Sequence, residues 1–176
     1  MGFNNLDLKR VIPNGDIDQN CLELLRSSNI TNMERCEFYK CFEKRFPCGK
    51  EYWIINWGYK YCRRYADENF ANNFTTVGQK LLNHVNECLP RYFEKAYKSS
   101  RPIQCKKLSN QAFRAQTNCY KDIQKDFCIA FEENKILFVK VMDNSDLMNF
   151  ESIAMIRKAT EKCSTKLNFF SLFSGI

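Results

Sequence analysis

Apolar residues recur every three or four positions from Cys21 onward, the period of helices buried along one side. In MERCEFYKCFEKRF, Arg35, Tyr39, Phe42 and Phe46 share one stripe, and Pro47 followed by Gly49 stops the helix. The clearest case is TTVGQKLLNHVNECLPRYFEKAYKSS. Its apolar face carries Val77, Leu81, Val85, Cys88, Leu89, Tyr92 and Ala96. Thr75 or Thr76 is placed to cap its start, and Pro90 should kink or split it. Ser99 to Pro102 reads as a turn. A further helix runs through QCKKLSNQAFRAQTNCYKDIQKDFC, with Cys105, Leu108, Ala112, Ala115, Cys119 and Ile123 facing inward. Lys106, Lys107, Arg114, Lys121 and Lys125 fall mostly off that stripe and are expected to form a basic outer face. Asp146 is placed to cap a last helix, with Leu147, Phe150, Ala154 and Ala159 as its apolar positions up to Cys163.

Other segments lack this period. Residues 1–19 hold Pro13, Asn14, Gly15 and several Asp and Asn, and read as a mobile arm. The stretch NGDIDQN places Asp16, Asp18 and Asn20 alternately, but Cys21 and Ser27 stand where a calcium loop needs glycine and glutamate. GKEYWIINWGYKYCRRY crowds Tyr52, Trp53, Trp57, Tyr59 and Tyr61 into what reads as a loop leading into a helix. Those rings fit core packing or an aromatic contact surface. KILFVKVMD, within 129–144, fits a strand, a loop or a helix start. The tail STKLNFFSLFSGI is apolar but too short to cross a bilayer, as a strand or packed segment would be. The pattern predicts an all-α, disulfide-stapled bundle of five or six helices over 20–165. A flexible arm at 1–19 precedes it and a tail at 166–176 follows.

Ten cysteines spread from Cys21 to Cys163 set this chain of 176 residues apart from an ordinary globular domain. Zinc sites favour C-x-x-C pairs or Cys/His clusters, and the chain has no C-x-x-C and one histidine, His84. Reduced cytosolic thiols are the plain alternative. Five disulfides in an exported chain are the favoured reading. Cys36 and Cys41 point about 140° apart on a helix, so they should be stapled to different neighbours. Two sequons, Asn29-Ile30-Thr31 and Asn73-Phe74-Thr75, offer glycan sites in that compartment. MGFNNLDLKR lacks an apolar leader core, so a leader removed before residue 1 or an added methionine is expected. No run of eighteen apolar residues occurs, so no membrane span is expected. The net charge of +7 favours acidic partners such as glycosaminoglycans, and also serves solubility.

Parts for catalysis are scarce. A Ser–His–Asp or Cys–His arrangement would have to use His84, which sits in a helix and is followed by Val85 rather than the aspartate of small secreted phospholipases. There is no P-loop, G-x-G-x-x-G or G-x-S-x-G, so neither a cofactor nor a metal is expected. Arg63-Arg64 and Lys106-Lys107 are short basic pairs without a nucleic-acid-binding aromatic pattern, so nucleic acid is not an expected partner.

The cysteine ladder resembles that of the stanniocalcins, a family of secreted, disulfide-rich glycoprotein hormones. Cys36 and Cys41 flank four residues, as in the family's C-x4-C. Phe74-Thr75-Thr76-Val77-Gly78 matches an F-x-T-x-G run at a similar distance before a cysteine, here Cys88. Cys105, Cys119 and Tyr120 match C-x13-C-Y, and Cys128 and Cys163 flank thirty-four residues, again the family's spacing. The resemblance covers Cys21 to Cys163; the intervening residues match poorly, and the Cys48–Cys62 and Cys119–Cys128 intervals are longer here. It implies the pairing Cys21–Cys41, Cys36–Cys62, Cys48–Cys105, Cys88–Cys119 and Cys128–Cys163. It also implies a secreted, non-catalytic signalling or regulatory glycoprotein that binds an extracellular protein. Stanniocalcins carry an eleventh cysteine near the C-terminus that joins two chains; none follows Cys163 here, so no covalent homodimer is expected. Lys106, Arg114 and Lys121 on the basic face, and Trp53 and Trp57 in the aromatic loop, are the candidate partner contacts. A secreted carrier holding a lipid or other apolar molecule in the bundle is the second reading, and a small secreted hydrolase using His84 the third.

Overall fold

Proline, glycine and cap residues cut the chain into helices at the places where the apolar stripe breaks. In the computed structural model, which describes residues 8–163, α1 spans Gln19–Arg26, α2 Asn32–Cys36 and α3 Phe38–Arg45. A π-helix at Ile54–Tyr59 runs into α4 (Lys60–Ala66) and the single turn α5 (Glu68–Ala71). Then come α6 (Thr76–Tyr92), α7 (Glu94–Tyr97), α8 (Cys105–Asp122), α9 (Gln124–Val141), α10 (Asn144–Leu147) and α11 (Phe150–Thr160). Among the described residues, α1, α3, α6, α8, α9 and α11 have eight or more residues, so the bundle is all-α with six main helices. The tail expected at 166–176 lies outside the described residues.

Long α6 is the central element, packed on α8 and α9, with α11 laid along α8. Pro90 lies in the last turn of α6, which runs on to Tyr92, and the helical pattern is divided just after it, at Phe93, where α7 follows. Aromatic rings fill the space between α3, the π-helix and the α6–α7 junction. Tyr39, Phe42 and Trp53 lie within 6.3 Å of Phe93, and Phe38 meets Tyr97 at 5.4 Å, all fully buried.

The F-x-T-x-G run has a packing role. Phe74 is buried against Phe70 and Phe138, and Thr75 caps α6 by accepting from the Gly78 N–H. Asn134, at a kink inside α9, accepts from the Thr75 N–H at 2.9 Å and donates to Thr75 Oγ1 at 2.9 Å and to the Ala130 carbonyl at 2.8 Å. A side chain at position 78 would place its Cβ 2.7 Å from the Asn134 amide, so glycine permits the approach of α6 to α9.

Five disulfides tie these elements. Cys21–Cys41 joins α1 to α3, Cys36–Cys62 joins α2 to α4, and Cys48–Cys105 joins the loop after α3 to the start of α8. Cys88–Cys119 links α6 to α8, and Cys128–Cys163 links α9 to the residue run after α11. No cysteine is free. These are the pairs that the family resemblance implies.

Two local expectations change and one open reading is decided. The segment read as a mobile arm is anchored from residue 9: β1 (Arg10–Val11) pairs antiparallel with β2 (Ile103–Gln104), the Cys105 N–H donates to the Lys9 carbonyl, and Asn14 N–H donates to the Arg45 carbonyl. Its Asp18 caps α1. Of the three readings open for KILFVKVMD the helical one holds: its first seven residues are the second half of α9, which ends at Val141. Asp146 does not cap the last helix; Asn149 does, by accepting from the Glu151 N–H. Asp146 is instead buried, accepting from Tyr61 Oη and pairing with Lys60. Burial and that carboxylate push the Tyr61 phenol well above its ordinary pKa.

Candidate functional site

Positive charge in this protein divides into a structural and a free set. Arg35 is buried and donates to the carbonyls of Leu24, Leu25 and Ser27, closing the C-terminus of α1. Arg45 is buried and donates to the carbonyls of Tyr97, Ser99 and Gly15. Arg91 donates to Leu25 and Arg64 to Val141. All four guanidiniums serve backbone carbonyls, and the two buried ones, Arg35 and Arg45, are not offered to a partner.

Exposed cations without an ion pair among the described residues occur on several elements, Lys44, Lys80 and Lys95 among them; those beside the candidate contacts lie on α8 and α11. Lys106, Arg114 and Lys121 fall within about 80° of one another around α8. They are not equivalent. Lys106 is half-buried and paired with Glu151 at 3.2 Å. Arg114 is exposed and Lys121 half-exposed, and neither has an ion pair among the described residues. Lys158 on α11 is likewise exposed and unpaired.

Helices α8 and α11 run side by side in the same sense, held by the Lys106–Glu151 pair at one end and by Gln124 Nε2 donating to the Ala159 carbonyl at the other. Between them lies a groove of about 380 Å³, lined among others by Phe113, Arg114, Thr117, Phe150, Met155 and Lys158. Phe150 is 80% exposed and Met148, just before it, 75%. Phe113 is itself fixed from behind by Trp57 at 5.2 Å and Trp53 at 6.2 Å.

The aromatic loop is not a contact surface. Trp53 and Trp57 are 3% and 5% exposed. The indole N–H of Trp57 donates to Gln116 Oε1 at 3.0 Å, which satisfies its one polar atom inside the core. Gly58 allows this: a Cβ there would lie 2.5 Å from the Trp53 ring and 2.9 Å from Tyr39. Spacing held the missed signal, since Trp53, Trp57, Tyr61 and Tyr65 recur every four residues, a helical stripe inside a stretch read as loop.

Both sequons are at the surface. Asn29 and Asn73 are exposed. Their threonines have a second role: Thr31 forms a capping box with Glu34 at the start of α2, and Thr75 caps α6. Asn73 Nδ2 donates to the carbonyls of Asn69 and Phe70 at 2.7 and 3.2 Å, and a glycan on that nitrogen leaves one N–H to serve them.

His84 comes nearest to a reactive cluster. Ligand atoms of His84, Cys88 and Asp122 lie within 4.8 Å of one another. Cys88 is bonded to Cys119, however, so it offers neither a thiolate ligand nor a nucleophile, and His84 Nε2 sits 3.1 Å from the Cys119 carbonyl. No family model, curated protein or solved structure matches this chain. No helix among the described residues is long and apolar enough to cross a membrane.

Proposed function

We propose that this chain is a secreted, stanniocalcin-like regulatory glycoprotein that acts by binding an extracellular protein, without catalysis. One observation carries the reading. All ten cysteines are joined in five bridges, in the connectivity that the resemblance implies out of the hundreds that ten cysteines allow. Such sulfur cross-links persist in oxidising compartments. The α8 face, with Arg114 and Lys121 unpaired among the described residues, is the contact surface, and an acidic partner or a glycosaminoglycan chain complements it in charge.

A carrier role has less support. An enclosed apolar space bounded by Tyr120, Phe127, Phe131 and Met155 holds only about 40 Å³, against the several hundred that ligand pockets offer. Phe38, Phe42, Phe46, Phe74, Phe93, Phe127 and Phe131 are instead buried in the core.

The test is expression through a secretory pathway, followed by cross-linking in extracellular fluid, affinity capture and identification of what is held. Intact mass after alkylation without reduction should show no labelled thiol. A specific protein should be captured, and capture and heparin retention should both weaken with Arg114→Glu/Lys121→Glu. Most thiols labelled in secreted material would refute the compartment. A retained small molecule in native mass spectrometry, with no captured protein, would favour the carrier.

A further inference from the structure

We propose that the groove between α8 and α11 is a docking site for an acidic peptide segment anchored by an apolar side chain. This rests on the partner-binding reading above and names the partner's chemistry. Three features of the groove point the same way. Its floor is apolar, built from Phe113 and Met155. Its rim carries Arg114 and Lys158, with no ion pair among the described residues, while its one carboxylate, Glu151, is already paired with Lys106. Phe150 stands at its wall 80% exposed, and a partner side chain packing on it would take that apolar ring out of water.

Each feature excludes an alternative. A sulfated polysaccharide would use the cations but gain nothing from an exposed phenylalanine above an apolar floor. A purely apolar ligand would leave Arg114 and Lys158 partly desolvated without a counter-charge. A segment carrying Asp or Glu on either side of a Leu, Ile or aromatic residue satisfies both. A space of about 380 Å³ takes two or three side chains, not a whole lipid. The groove is also braced from behind. Phe113 is backed by both tryptophans, and α11 is tied to α9 through Cys128–Cys163. A preformed site avoids much of the ordering cost of binding.

The test pans a random dodecapeptide library, displayed on phage, against the folded, oxidised full chain. Enriched peptides should pair Asp or Glu with a large apolar residue. A synthetic, fluorescein-labelled peptide from that pool should bind about tenfold more weakly to Arg114→Glu/Lys158→Glu and to Phe150→Ser. All three positions are exposed, so the variants should keep the parent's melting temperature and circular dichroism. No acidic-apolar consensus, or equal binding by both variants, overturns the proposal. So does competition by a heparin dodecasaccharide with Phe150→Ser silent, which would make the groove a polyanion site. Competition by a synthetic KLNFFSLFSGI peptide would name the chain's own C-terminal sequence as occupant and overturn it too. Self-association lost with Phe150→Ser would make a second copy the occupant. An extracellular protein captured equally by parent and Arg114→Glu/Lys158→Glu sinks the groove and leaves the partner-binding reading standing; capture of no protein at all sinks that reading.

Discussion

Replacing Asn134 tests how α6 and α9 are held together. Its side chain is 3% exposed and makes three hydrogen bonds, two with Thr75 and one with the Ala130 carbonyl. Asn134→Ala removes all three and leaves the Thr75 N–H without its acceptor. At about 1 kcal/mol net per bond, the loss is about 3 kcal/mol. For a domain of this size that lowers the melting temperature by roughly 6–12 °C. Gly78→Ala perturbs the same contact from the other side, since its Cβ would lie 2.7 Å from Asn134 Nδ2 and 2.9 Å from the Phe74 ring. Alanine gains about 1 kcal/mol of helix propensity, and overpacking costs about 1–3 kcal/mol. In the Asn134→Ala background the amide is gone and only the Phe74 contact remains. The double variant should therefore lose about 1–2 kcal/mol less than the sum of the singles. Urea denaturation with the disulfides intact measures all four corners of the cycle. Additivity within about 0.5 kcal/mol would refute the latch, whatever the single losses are.

Cys48→Ser/Cys105→Ser opens a loop of sequence separation 57, which the chain-entropy relation values at about 4 kcal/mol; a calorimetric loss below about 1 kcal/mol would mean that this bridge does not restrain the unfolded chain. The Asp143 carboxyl is held below its ordinary pKa by hydrogen bonds from Arg64 and Lys60. A depressed acid stabilises the fold above its unfolded pKa of about 4, and that contribution is lost as pH falls through the lower folded value. Because Asp143 is 44% exposed, the effect stays within about 1 kcal/mol, and Asp143→Asn should flatten the acid limb of a stability–pH curve; an unchanged limb would contradict the assignment. Buried Trp53 and Trp57 should give blue-shifted emission that iodide barely quenches, and efficient quenching would put an indole back at the surface.

Periodicity carried most of the fold because a one-sided helix must repeat its apolar residues every three or four positions. That is why the stripes of α3, α6 and α8 were readable, and why Pro90 could be read as a break. It failed where the stripe widened. Trp53, Trp57 and Tyr61 form a buried stripe leading through the π-helix into α4, but Tyr52, Ile54, Ile55 and Tyr59 between them are also apolar or aromatic and mask its four-residue spacing. α9 reads ambiguously for a related reason. Its inward positions Phe127, Phe131, Asn134, Phe138 and Val141 keep the helical spacing, but one of them is polar and Ile136, 65% exposed, is apolar on the outside, so the stripe has little contrast. The arm is illegible locally because what holds it comes from far away in sequence: β2 lies more than ninety residues on, and Arg45 reaches back to Gly15.

The candidate site shows the same division between local and distant causes. Counting cations along α8 picked out Lys106, Arg114 and Lys121, and the helix does bring them to one side. Counting could not tell that Lys106 is neutralised from α11, because Glu151 is 45 positions away. Nor could it find Lys158 and Phe150, which enter the surface only when α11 packs alongside α8. Formal charge misleads for the same reason, since Arg35, Arg45, Arg64 and Arg91 are directed at carbonyls of elements other than their own. A basic face is therefore defined by which cations the fold leaves without a counter-group. On α8 that criterion moves the proposed binding surface from the middle of the helix to its border with α11. There the unpaired charges flank an exposed ring, and charge reversal at Lys158 should matter more to partner binding than charge reversal at Lys106.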